Sequence, residues 1–109
     1  MTYTEADIVG RSVRDSNGTV VGRATAWYQY PQDLDVATGV AAVRTGRLVR
    51  STHLVDLIDA SVDDQNLDVA YPSGLISSAP NYTPMIGNTL GHEHAAAVLA
   101  HYRASMAPA

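Results

Sequence analysis

Three of the four histidines in the chain fall within one stretch, Leu90–Arg103, which reads LGHEHAAAVLAHYR. Imidazole binds transition metals and carries protons near neutral pH, so His92, His94 and His101, with Glu93 among them, are the first place to look for chemistry. Their spacing argues against a shared ion. His92 and His94 stand two apart, ~200° around a helix, whereas paired zinc ligands on a helix stand at i and i+4. His94 and His101 share a face, but two turns separate them by ~10 Å of rise, and ligands ~2 Å from one metal need a third element to bridge that gap. An acid–base pair built on Glu93 would need a nucleophile or a substrate in a concave pocket, and no other stretch supplies one. A metal-binding or small-ligand protein using these histidines therefore stands as an alternative, behind a helix that docks on something.

Other motifs are weaker still. The run TGRL lacks the spacing and the lysine of a phosphate loop, and neither Asp33-Leu34-Asp35 nor Asp63-Asp64 supplies the alternating oxygens and distal glutamate of a calcium loop. The chain has no cysteine, which excludes disulfides, iron–sulfur clusters and thiolate zinc sites. No catalytic residue, metal ligand or cofactor is expected. With 7 basic residues, all arginine, against 11 acidic ones, the net charge of −4 opposes attraction to a phosphate backbone. The opening MTYTEADIVG lacks the basic and apolar regions of a secretory signal, and no apolar run nears the ~20 residues that cross a bilayer, so a cytoplasmic protein without membrane insertion is expected.

The 109 residues suit one domain with a single core. IVGRSVRD and TVVGRATAWYQY flank Ser16-Asn17-Gly18, a strong hairpin signal, and Gly22 inside the second run marks a bulge or bend. A loop over Pro31–Gly39 leads to a strand VAAVR, a turn at Thr45-Gly46, a strand in which Leu48, Arg50, Thr52 and Leu54 alternate with Val49, Ser51, His53 and Val55, a bend before LIDASV, the polar turn DDQN and a last strand LDVAY. About six short strands result. SGLISSAP reads as one helical turn closed by Pro80, and Asn88 or Thr89 can cap a final helix whose apolar members Ala95, Val98, Leu99, Tyr102 and Met106 recur at helical spacing. The predicted fold is all-β: a small antiparallel barrel, closed to remove its edges, with a C-terminal helix.

The run ADIVGRSVRDSNGTVVGRA resembles the opening hairpin of the PRC-barrel domain through Val9, Gly10, Val13, Asp15, Gly18, Val21 and Gly22. AAVRTGRLVRSTHLVDLIDA is similar to the central strand pair of that family, and LISSAPNY to the motif that closes its barrel, so the resemblance covers about residues 6–82. EHAAAVLAHYR is similar to the helix that follows the barrel in small actinobacterial members, although Gly91-His92 and Arg103 depart from that pattern. The family occurs in the cytoplasmic part of the photosynthetic reaction centre H subunit, in a ribosome maturation factor and as stand-alone prokaryotic proteins. The resemblance implies a bacterial, non-enzymatic protein of the stand-alone kind that contacts other proteins. An association with ribosomes or RNA processing is a further alternative by analogy, weakened by the acidic charge.

Two surfaces offer contacts. Strand alternation places Trp27 opposite Tyr28 and Tyr30, with Trp27 expected in the core and an exposed Tyr28 or Tyr30 a candidate contact. The helix stripe of Val98, Leu99 and Tyr102 must also be buried somewhere. With a PRC-barrel-like domain over 1–82 and a linker, helix and tail over 83–109, NYTPMIGN is expected to let the helix reach a second copy, making a homodimer. Packing on its own barrel is the competing arrangement.

Overall fold

The computed structural model describes residues 4–34, 36, 38–46, 51–79 and 87–106. The expected alternation through Leu48–Arg50, the linker over 80–86, Asp35 and the tail 107–109 lie outside the described residues.

The hairpin signal holds. β1 (Ser12–Arg14) and β2 (Val20–Tyr28) pair antiparallel, with Ser12 opposite Arg23 and Val13 opposite Gly22. The Asp15 carboxylate accepts the backbone N–H groups of Asn17 and Thr19 at 2.9 Å each, and Gly18 supplies a φ of +82° that a β-carbon would resist. The register slips opposite Val13 and Arg14, which makes Val21 an extra residue on β2 beside Gly22. A second slip, between Ala24 and Ala26, leaves Thr25 as an extra residue against β3 (Val40–Thr45). The glycine thus stands beside one of two bulges that curl β2.

β3 pairs in unbroken register with β4 (Ser51–Asp56), and β5 (Ser61–Val62) forms a short hairpin with β6 (Asn66–Asp68). Together they make one sheet in the order β4-β3-β2-β1-β6-β5. The number of strands agrees with the expectation, and the closed antiparallel barrel does not. Among the described residues the sheet is open, with β4 and β5 as its edges, and β1 runs parallel to β6. After β4 the chain turns at Asp59, whose φ is +57°, and the hairpin that follows delivers β6 to the free side of β1. Local turn signals carry no information on which side of the sheet that hairpin joins.

The edges are managed without closure. β5 is too short to template another strand, and β4 is covered by a helix. That helix, α3 (His92–Met106), follows the single turns α1 (Glu5–Ile8) and α2 (Ser73–Ser77). It starts later than a cap at Asn88 or Thr89 would place it, because this stretch is used as a bridge to β2. Gln29 N–H donates to the Asn88 carbonyl at 2.7 Å and Leu90 N–H to the Gln29 carbonyl at 2.9 Å, so the first helical bond runs from Ala95 to the Gly91 carbonyl. Ala95, Val98 and Tyr102 are buried against this chain's own core, with Leu99 half-buried beside them. The stripe is therefore filled within the chain. α1 was not legible; Thr4 makes it by donating its N–H and Oγ1 to the Asp7 carboxylate at 3.0 Å each, and Ile8 anchors it in the core. Among the described residues no helix is long and apolar enough to cross a membrane.

A β-carbon at Gly22 would overlap the backbone carbonyl of Arg44, whereas one at Gly74 meets nothing. Gly22→Ala is expected to destabilise the protein by about 1–3 kcal/mol in chemical denaturation. Gly74→Ala, in α2, is expected to be neutral or slightly stabilising in the same assay.

Candidate interaction surface

Unbroken pairing of β3 with β4 places Thr52, Leu54 and Asp56 on one face, together with Val40, Ala42 and Arg44 of β3. Across β2 the same face carries Tyr28, Ala26 and, beyond the Thr25 bulge, Arg23. The two ends of this face have different fates.

One end is closed around Asp56, which is fully buried. Its Oδ1 accepts from the Tyr30 hydroxyl at 2.8 Å, and its Oδ2 from the Tyr71 hydroxyl at 2.8 Å and from Arg103 Nε at 2.7 Å. Arg103 Nη2 adds a longer bond to Oδ1, at 3.3 Å. Two carboxylate oxygens offer about four acceptor positions, and four donors fill them. The neighbouring Tyr102 donates its hydroxyl to the Leu54 carbonyl at 2.6 Å, which satisfies a backbone acceptor on the edge strand, and its ring lies 4.5 Å from that of Tyr71. An aspartate, tyrosines and an arginine resemble acid–base machinery in composition. Here each donor is spent on the carboxylate, and the group acts as a clamp that holds α3 on β4.

The other end is open. Pairing aligns Asn66, Ser12, Arg23, Arg44 and Thr52 in one polar row across five strands, and Arg23 and Arg44 in its centre are exposed. Arg14 pairs with Asp68 at 2.8 Å and Arg103 with Asp56, whereas Arg23 donates to the neutral Gly10 carbonyl, at 2.6 Å. Neither Arg23 nor Arg44 has a carboxylate partner among the described residues. Like charges directly opposite on neighbouring strands are destabilising. Arg23, Thr25, Arg44 and Gly46 line a hollow of about 260 Å³, and Arg23 also borders a second of about 380 Å³ with Arg11, Ser12 and Gln65.

The residues singled out from the sequence lie elsewhere. Tyr28 and Tyr30, expected as contacts if exposed, are buried, and Tyr30 is a member of the Asp56 clamp. Trp27 keeps its place on the opposite face and is the less buried of the three, packed at the margin of the core. Alternation separated the two faces correctly, but both are covered at this end of β2. Val98, Leu99 and Tyr102 are occupied by packing within the chain, so they offer no free stripe to a partner.

The histidines separate. His92 Nε2 meets the Asp33 carboxylate at 2.9 Å on the surface, and this bond holds the Asp33 carboxyl below its ordinary pKa. His101 Nε2 donates to the Leu75 carbonyl at 2.7 Å and ties α3 to α2. His53 is buried in β4. Among the described residues no three His, Cys, Asp or Glu side chains gather as metal ligands would.

Sequence reasoning passed over Asp56, Arg103, Arg23 and Arg44. A charged residue inside the apolar run HLVDLI was a signal for a buried, partnered aspartate. Arg23 and Arg44 carried none, since their pairing exists only through register. A scan against protein-family models matches none, and no curated protein matches the sequence.

Removing the carboxylate by Asp56→Ala strands two buried hydroxyls and a guanidinium, and is expected to cost about 3–5 kcal/mol in urea denaturation. Burial, with the charge of Asp56 added, raises the hydroxyl pKa values of Tyr30, Tyr71 and Tyr102 above the ordinary tyrosine value. A pKa higher in the folded than in the unfolded state contributes stability that is complete below ~10 and is lost as the pH climbs past that point. Phenolate absorbance during alkaline titration should show these three tyrosines ionising only together with cooperative unfolding.

Proposed function

We propose that this protein is a non-enzymatic interaction module of the PRC-barrel type, acting in the cytoplasm and docking a partner protein on the open end of its sheet face. The observation that carries the reading is the exposed Arg23–Arg44 pair, opposed across two strands without a carboxylate partner among the described residues and lining a hollow. A destabilising surface arrangement on a scaffold whose other described arginines include two with carboxylate partners is the mark of a place reserved for an outside anion. The resemblance of residues 6–82 to PRC-barrel domains supports it, because those domains work through protein contacts. The separated histidines give the metal-binding alternative no geometric support. The ribosome-associated alternative is weakened by the net charge of −4.

A photo-crosslinking residue at Thr25, beside the pair, should yield discrete adducts in cells that disappear when Arg23→Gln and Arg44→Gln are added. The same crosslinker at Ala96, exposed on α3, should not yield those adducts. Adducts indifferent to the two arginines, or identical from both positions, would overturn the docking assignment.

A further inference from the structure

The geometry points to an acidic, extended peptide segment of a partner protein as the occupant of the row, its carboxylates held by Arg23 and Arg44. This rests on the reading of the row as a docking surface and names what docks there.

The positive charges come first. Residues directly opposite in an antiparallel pair have Cα atoms ~4.5–5.5 Å apart, so two guanidinium groups rise from one small area. A guanidinium offers a planar fork of donors that fits a carboxylate with two parallel hydrogen bonds. Arg23 has committed one nitrogen, to the Gly10 carbonyl, which steadies the side chain and leaves the rest of its fork available.

Shape selects among anions. Arg23 borders both hollows, of about 380 and 260 Å³, which together offer a ligand more room than a single small ion fills. Side chains on one face of an extended chain recur every ~6.6 Å, close to the ~4.8 Å between adjacent strands with the reach of two long arginines to absorb the difference. An acidic residue at every second position would therefore meet both guanidinium groups. The remaining lining includes groups that can bond a peptide backbone, the Ser12 hydroxyl and the side-chain amide of Gln65, and a further arginine, Arg11; Asp64 borders the same hollow as Gln65, so the acidic residues of the segment have to lie toward Arg44, away from it.

Charge decides against a polyanion. Two arginines replace the counterions of only about two phosphates, a small gain for nucleic acid, whose protein partners commonly make ~6–10 such contacts. The rest of the chain sets five arginines against eleven acidic residues, which repels a long phosphate backbone more than a short segment confined to the row, because screening over ~8 Å removes the more distant charges. An acidic loop or tail of a partner protein meets both conditions.

The test is fluorescence anisotropy with the full chain and a labelled peptide of alternating glutamate and threonine, compared with its glutamine counterpart and with an oligothymidylate of equal charge. The glutamate peptide is expected to bind and the other two not. R23Q/R44Q should weaken binding at least about tenfold, and R23K/R44K, which keeps the charge and loses the fork, should fall between. Both substitutions are on the surface; unchanged circular dichroism verifies that they fold, and relief of the repulsion should leave the thermal midpoint of R23Q/R44Q equal to or above that of the parent. Binding indifferent to R23Q/R44Q, or oligothymidylate binding as tightly as the peptide, would overturn the proposal. So would concentration-dependent self-association abolished by R23Q/R44Q, which would make a second copy the occupant. Crosslinks from Thr25 that persist while the glutamate peptide fails to bind would remove the acidic peptide and leave the docking surface standing.

Discussion

The structure depends on a buried aspartate that has to be satisfied. A carboxylate removed from water is tolerated only when hydrogen-bonded, and Asp56 draws its donors from three places far apart in the chain: Tyr30 just past β2, Tyr71 just past β6 and Arg103 in α3. Each donor fixes the segment that carries it. Arg103 brings the last part of α3 to β4, while the bridge between Gln29 and Thr89 fixes the chain that enters the helix. The apolar stripe of Ala95, Val98 and Tyr102 has only one direction left in which to face. Hydrophobic burial supplies the larger energy, about 1.5–3 kcal/mol for a side chain such as Val98. The polar clamp supplies register.

Docking of α3 also explains how the sheet survives open. A strand whose backbone groups are unpaired invites another chain, and β4, with His53, Leu54, Val55 and Asp56 all buried, would be an adhesive edge if bare. Tyr102 answers this directly by donating to the Leu54 carbonyl. At the opposite edge β5 is two residues long and needs no cover. A helix on one edge and brevity on the other replace the closure that a barrel would provide.

What was legible in the sequence was local. Asp15, Asn17 and Gly18 announce their turn because the turn is made by those side chains and that φ, and the helix stripe is visible because its period is a property of the helix alone. The open sheet, the parallel β1–β6 pair and the cis docking of α3 depend on which distant segments meet. Tyr28 and Tyr30 illustrate the limit: alternation sets them opposite Trp27, yet burial is decided by what lies over each face. Helix α3 and its clamp cover the side that the tyrosines share. Asp56 was the one long-range feature with a local trace, a charge where the strand is otherwise apolar.

The clamp and the arginine row are linked through the strands they share. Arg44 and Asp56 stand on the same face of one continuous β3–β4 pairing, so fixing the Asp56 end also fixes the plane from which Arg44 projects. Arg23 is set by different means, between the bulges at Val21 and Thr25, with Gly22 held against the backbone of Arg44 too closely for any larger residue. Two long and flexible side chains would ordinarily lose considerable rotamer entropy on binding. Mounted on a backbone stiffened from both directions, with Arg23 already tied to the Gly10 carbonyl, they lose less. The repulsion between them is tolerable while water and salt screen it, and it turns into attraction for whatever brings negative charge into the recess.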